Sequence, residues 1–133
     1  MIILDTHALI WLDQGLSALG ENARQQANGA LREETLAIAT ISFWEIATLC
    51  RRGRLKIGQP IAIWRRSLFD LGLQEVPLDG EVAIVAGELE GLHGDLSDRI
   101  IVATSMLSNA TLLTADKSIL DWHGSLKRID ARA

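Results

Sequence analysis

Four acidic residues, Asp5, Glu45, Asp98 and Asp116, stand beside apolar runs where a charge is out of place unless it has work to do. Asp5 ends the run Ile2-Ile3-Leu4 with no turn residue before it, and Asp116 follows a second such run, Thr111-Leu112-Leu113-Thr114, by two positions. Glu45 lies at the head of one apolar helical stretch. Asp98, three residues after Asp95, opens another that runs from Ile100 to Thr104. Carboxylates brought to one point repel by on the order of 1–4 kcal/mol per close pair, depending on screening. Only Arg99 and Lys117 in these motifs carry a compensating charge. Divalent cations would resolve the conflict. Oxygen-only ligands select Mg²⁺ or Mn²⁺ over Zn²⁺, and such a centre can activate water for in-line attack on a phosphodiester.

Each acid also has a plainer role open to it. Asp is a favoured N-cap, so Asp5 could simply start the helix that follows it. Ser42 precedes Glu45 by three residues, the spacing of a capping box, which would turn the glutamate back on the Ser42 amide. Asp95 and Asp98 fall in a first helical turn, where negative charge complements the helix dipole. Other chemistries find less support. His7, His93 and His123 lack zinc-ligand spacing, and no nucleophile elbow, phosphate-cradling glycine loop or dinucleotide fingerprint is present.

The elements that must position these acids follow from the apolar periodicity. Ile2 to Leu4, Thr35 to Thr40, Leu73 to Pro77 and Thr111 to Thr114 are short strand-like runs, with a last edge strand around Leu126 to Ile129. Between them lie helical stretches. One follows Asp5 and one spans Leu16 to Leu31. A third runs from Ser42 to the stop at Gly53, and a fourth from Pro60 to Gly72 carries the stripe Ile61, Trp64, Leu68 and Leu71, widened by Ile63 and Phe69. A fifth, N-capped by Asp79, ends by Gly91, and a sixth closes at Asn109. Alternating strands and helices predict an α/β three-layer sandwich around a central, mainly parallel sheet. Right-handed crossovers would bring Asp5, Glu45, Asp98 and Asp116 to its carboxyl edge.

A chain of 133 residues has the length of one domain, residues 1–133. Its single cysteine, Cys50, cannot close an internal disulfide, which fits a reducing, cytoplasmic setting. Asp5 interrupts the N-terminus before a signal-peptide core could form, and no run is long enough to span a membrane. The net charge of −4 argues against nucleic-acid binding by bulk positive charge. The basic residues are nevertheless gathered, with Arg51, Arg52, Arg54, Lys56, Arg65 and Arg66 in a stretch free of acids between Glu45 and Asp70. Such a run is either a solvated helix face or a flank that attracts a phosphate backbone towards an acidic pocket.

Taken in order, Ile3-Leu4-Asp5-Thr6, Ser42-Phe43-Trp44-Glu45-Ile46, His93-Gly94-Asp95-Leu96-Ser97-Asp98-Arg99-Ile100-Ile101-Val102-Ala103-Thr104 and Leu113-Thr114-Ala115-Asp116 resemble the successive motifs of PIN-domain ribonucleases, in particular toxins of the VapC type. The resemblance runs from Met1 to about Asp121 and departs from the pattern at Leu96, where such proteins often have proline. It implies that Asp5, Glu45, Asp98 and Asp116 line a metal pocket for Mg²⁺ or Mn²⁺. Thr6, Asp95 and Thr114 are auxiliary candidates, and Arg51, Arg52, Arg54 and Lys56 are candidate RNA contacts. It also implies cleavage of RNA, a homodimer, and inhibition by a small antitoxin protein. The stripe on Trp64 has the spacing of core, and because Ile63 and Phe69 widen it, it is also the candidate face for antitoxin or dimer. Two rival expectations are a catalytically silent module that docks a partner's basic side chain, and a structure-specific DNA nuclease of similar fold.

Overall fold

The computed structural model describes residues 1–133. Along the chain come β1 (Ile2–Leu4), α1 (Thr6–Asp13), α2 (Glu21–Arg32), β2 (Leu36–Ala39), α3 (Ile41–Arg51) and α4 (Ile61–Asp70). There follow β3 (Gln74–Val76), α5 (Gly80–Glu88), α6 (Leu96–Leu107), β4 (Thr111–Thr114), α7 (Lys117–Leu120) and β5 (Lys127–Asp130). The strands form one sheet in the order β3-β2-β1-β4-β5, and every pairing is parallel. The sheet is thus wholly parallel rather than mainly so.

The continuous apolar strands have a simple cause: both faces of the sheet are covered. Leu4, Leu36, Ile38 and Leu113 face one core, shared with Leu9 of α1, Ala23 and Ala27 of α2, Ile46 of α3, and Trp64 and Leu68 of α4. The alternate residues Ile3, Ala37, Ala39 and Leu112 face a second core with Ile101 and Val102 of α6 and Ile119 of α7. Val82 and Ala86 of α5 pack on the far side of α6 against Ile100 and Ala103. Register keeps the faces consistent, since Ile3 pairs with Ala37 and Leu112 while Leu4 pairs with Ile38 and Leu113. A one-residue slip would exchange the two cores.

Chain order now fixes where a site can form. From β1 the chain moves outward through β2 to β3, then returns to the other side of β1 as β4 and continues to β5. The reversal falls between β1 and β4, and the crevice outside the carboxyl ends at such a switch point is where open α/β sheets bind ligands. Asp5 leaves β1 and Thr114 ends β4 at that crevice.

Two expectations need correction. The second helix starts at Glu21, not Leu16. Gly20 is its N-cap in extended backbone, pressed so closely on Arg132 and Ala133 that a Cβ there would overlap the Ala133 carbonyl carbon. Trp64 belongs to the core part of its stripe, which narrows the candidate contact face to its neighbours. It is 3% exposed, and its indole Nε1 donates to Asp13 Oδ2 at 3.1 Å. Three- and four-residue spacing marks a helix face equally well whether core or partner covers it. On α4 and at its C-cap, Ile63 and Leu71 are the large apolar side chains left exposed.

Candidate active site

Asp5 is held from two sides. It is the N-cap of α1, yet Oδ1 accepts only from the adjacent Thr6 amide, at 2.8 Å. Oδ2 accepts from the Thr114 hydroxyl at 2.5 Å, so the neighbouring strand fixes the carboxylate as firmly as its own helix does. Its residue is only 2% exposed. The Thr114 hydroxyl in turn accepts from the Asp116 amide at 3.0 Å, which ties the exit of β4 to that of β1. Asp116 caps α7, with Oδ1 accepting from the Ser118 amide at 2.9 Å and the Ser118 hydroxyl at 2.7 Å.

Glu45 does not sit in a capping box. The helix begins at Ile41, one residue earlier than Ser42, and Thr40 is its N-cap, so Ser42 is already inside the first turn. Glu45 instead reaches across to α1, where Oε1 lies 2.5 Å from Thr6 Oγ1. Thr6 Oγ1 also lies 2.8 Å from Ser42 Oγ. Having one proton, the threonine gives it to the carboxylate and takes one from the serine. Ser42, which the sequence presented as a cap, thereby becomes a fully buried support for the Glu45 side chain.

Asp98 enters from α6. Its backbone amide donates to Asp95 Oδ1 at 3.0 Å, and the same oxygen accepts from Ser97 Oγ at 3.0 Å, so Asp95 caps this helix. No side-chain hydrogen bond reaches the half-buried Asp98 carboxylate, and its pKa is pushed up to about 7. Burial is the largest cause. The negative charges of Asp95, Asp5, Asp116 and Glu45 follow. Acids from β1, α3, α6 and the exit of β4 therefore act on one carboxyl group, as the crossover rule predicted.

The two cations expected to offset them are engaged elsewhere. The Arg99 guanidinium donates to the carbonyls of Ala86, Gly87, Leu89 and Leu92, closing the end of α5 and the loop after it. The helix ends at Glu88, and Leu89 turns to extended backbone as its C-cap. Lys117 pairs with Asp121 at 3.4 Å in the open. Even so, the acids do not form a closed cluster: no three Asp, Glu, His or Cys side chains stand close enough to ligate one ion jointly.

The family is decided by the comparison with known proteins, in which the PIN domain pattern matches residues 2–122. The chain belongs to the PIN-domain family. Within it, this PIN domain is 29% identical to Ribonuclease VapC22 of Mycobacterium tuberculosis over 119 residues, covering 89% of this chain and 88% of that protein. Among solved structures it resembles a toxin-antitoxin complex from Klebsiella pneumoniae, with a TM-score of 0.66 and 20% identity over 98% of both chains. It also resembles VapBC2 from Rickettsia felis bound to a promoter DNA fragment, with a TM-score of 0.66 and 18% identity over 97% of this chain and 98% of that one. These likenesses agree on the fold.

Arg51, Arg52, Arg54 and Lys56 are exposed at and just beyond the carboxyl end of α3, the helix that carries Glu45. The Lys56 carbonyl accepts from the Gln14 side chain at 3.1 Å, which ties this segment to the carboxyl end of α1. Arg65 is occupied by Glu75, which accepts at 2.9 Å and raises the guanidinium pKa, and it stacks on Phe69 at 4.6 Å. Two residues that sequence reasoning set aside lie at the site. His7 Nε2 accepts from the Ala115 amide at 3.1 Å, which leaves the ring proton on Nδ1, 3.8 Å from Asp5 Oδ2. Gly94 packs so closely on Asp98 that a Cβ there would lie 2.8 Å from the aspartate Cβ.

Proposed function

We propose that this PIN domain is a metal-dependent endoribonuclease, the toxin of a toxin-antitoxin pair, with Asp5, Glu45, Asp98 and Asp116 holding Mg²⁺ or Mn²⁺. The observation that carries the reading is the convergence of acids from β1, α3, α6 and the exit of β4 on the half-buried Asp98, whose carboxyl group burial and those neighbouring charges push up to about 7. Such a set favours a hard cation and offers only oxygen. The spread of the acids suits Mg²⁺, which takes one or two carboxylates directly and keeps several of its waters. When bound, the cation supplies a lowered water pKa and neutralises charge growing on the phosphate oxygens.

The chain's own part is positioning. Thr114 and the Thr6 amide hold Asp5, and Thr6 with Ser42 holds Glu45. The Asp98 carboxyl group, unsupported by hydrogen bonds, ionises more readily when a positive charge comes near. The name of the VapC22 ribonuclease supports RNA as the substrate, and the toxin-antitoxin assemblies of the structural relatives support a small antitoxin partner. A homodimer belongs to the same proposal. So do phosphate contacts by Arg51, Arg52, Arg54 and Lys56.

The test is digestion of matched RNA and single-stranded DNA oligonucleotides by the purified chain, with Mg²⁺, with Mn²⁺ and with chelator. Cleavage of RNA that chelator stops and that Asp5→Asn and Asp98→Asn each abolish is the expected result. Full activity in both folded variants would remove the site assignment, and cleavage confined to DNA would remove the ribonuclease.

A further inference from the structure

We infer that Arg132, in the cleft beside Asp116, is a phosphate-binding residue for the RNA strand next to the scissile bond, an inference that rests on the ribonuclease reading. The cleft encloses about 230 Å³ and is lined by His7, Trp11, Ala115, Asp116 and Arg132. It opens directly from the acidic crevice because Asp116 belongs to both.

Register explains the placement. In the β4–β5 pair Thr114 lies opposite Asp130, and the ladder continues one step further, with the Ala131 amide donating to the Thr114 carbonyl at 2.8 Å. Arg132 is two residues beyond Asp130 as Asp116 is two beyond Thr114. The two strand exits therefore set an arginine alongside a proposed metal-binding acid.

The guanidinium is held but not consumed. Nη1 donates to the Ala115 carbonyl at 3.1 Å, and the fork lies over the Trp11 indole at 5.5 Å. His7 packs on the other part of that indole at 5.0 Å. Arg132 takes part in none of the chain's ion pairs, so Asp116 does not neutralise it. Its side chain makes one hydrogen bond of the five it can donate. A planar fork, oriented by an aromatic face and a carbonyl with most of its donors free, matches phosphate geometry. It is also the basic group found in a cleft with one of the four acids, since Arg99 and Lys117 are engaged elsewhere. A polyanion approaching four carboxylates needs such a group at the rim.

The test measures binding and turnover separately on the full chain. Anisotropy of a labelled single-stranded RNA oligonucleotide in chelator, over a NaCl series, reports phosphate contacts without cleavage. Arg132→Ala is expected to lower the slope of log K against log salt by about 0.7, the share of one phosphate contact on a single strand. Arg132→Lys should retain it. In Mg²⁺ the alanine variant should raise KM about tenfold, the larger part of its effect. Should Arg132→Ala fail to fold, Arg132→Gln removes the charge while keeping an amide near Ala115. An unchanged salt slope, or a loss of kcat alone, would overturn the phosphate role and leave Arg132 as a support for the Ala115 turn. If the wild-type chain binds RNA but never cuts it, the ribonuclease reading fails and the slopes still decide the subsite. If it does not bind RNA at all, both fail.

Discussion

The Thr114 hydroxyl donates to Asp5 Oδ2 at 2.5 Å, joining the carboxyl ends of two adjacent parallel strands whose residues are 109 positions apart. Both partners are buried. Thr114→Val keeps the shape and deletes the donor, leaving a carboxylate oxygen short of a partner where water cannot easily replace it. Unfolding free energy is expected to fall by about 1–3 kcal/mol, read by urea denaturation, and RNA cleavage to fall with it. Thr114→Ser should recover most of both. A valine variant as stable and active as wild type would mean that the α1 amide alone positions Asp5.

Asp98 makes stability fall as pH rises. Its carboxyl group has a folded pKa of about 7 against an ordinary value of 3.8, so between these the folded chain holds a proton that the unfolded chain has lost. Raising pH through that window therefore favours unfolding. Because the group is half open to solvent, screening limits the effect to about 1–2 kcal/mol. In chelator the melting temperature should drop from pH 5 to pH 8, and Asp98→Asn should flatten the profile while raising stability at pH 8. Millimolar Mg²⁺ should restore the wild type at pH 8 and leave the asparagine variant largely unmoved. Identical profiles for the two proteins would show that the acids do not share a field.

Gly94 is required by a close approach, not by backbone conformation. A Cβ would meet Asp98 Cβ at 2.8 Å and Oδ2 at 3.3 Å, and Asp98 cannot retreat because it sits in the first turn of a helix buried along the second core. Gly94→Ala should displace the loop or the carboxylate, lowering cleavage on the order of tenfold for a shift of a few tenths of an ångström to 1 Å. Its melting temperature should change little, since the loop is largely at the surface. Wild-type turnover in this variant would show that the loop yields freely.

How far the sequence alone could be read follows from the same residues. Asp5 and Asp116 were legible because a strand buried on both faces has no place for an acid except at its end. Glu45 was legible as an acid but not in its setting: Ser42 and Glu45 match a capping box locally, and the helix start at Ile41 together with Thr6 across the crevice overrides it. The Trp64 stripe was legible as a helix face but not as to what covers it, because core and contact faces share one periodicity; burial assigns Trp64 to the core. Arg132 could not be found at all, since its position depends on the pairing of an edge strand with β4, a register that no local pattern encodes.

Arg99 fastens the loop that carries Gly94 and Asp95. Its guanidinium donates to Leu89 at 2.7 Å, Leu92 at 2.9 Å, Ala86 at 3.0 Å and Gly87 at 3.4 Å, serving the open carbonyls at the end of α5. Lysine keeps the charge but has a point donor instead of a fork and cannot span four carbonyls. Arg99→Lys should cost about 2–4 kcal/mol, several hydrogen bonds to a charged group being lost or lengthened at once. Hydrogen exchange should quicken at residues 87–95 more than in α2 on the opposite face. The half-buried Asp98 next to it would gain solvent, so its raised pKa should move back towards the ordinary carboxylate range. A variant with wild-type exchange in this loop would show that Arg99 is placed by the loop and does not hold it.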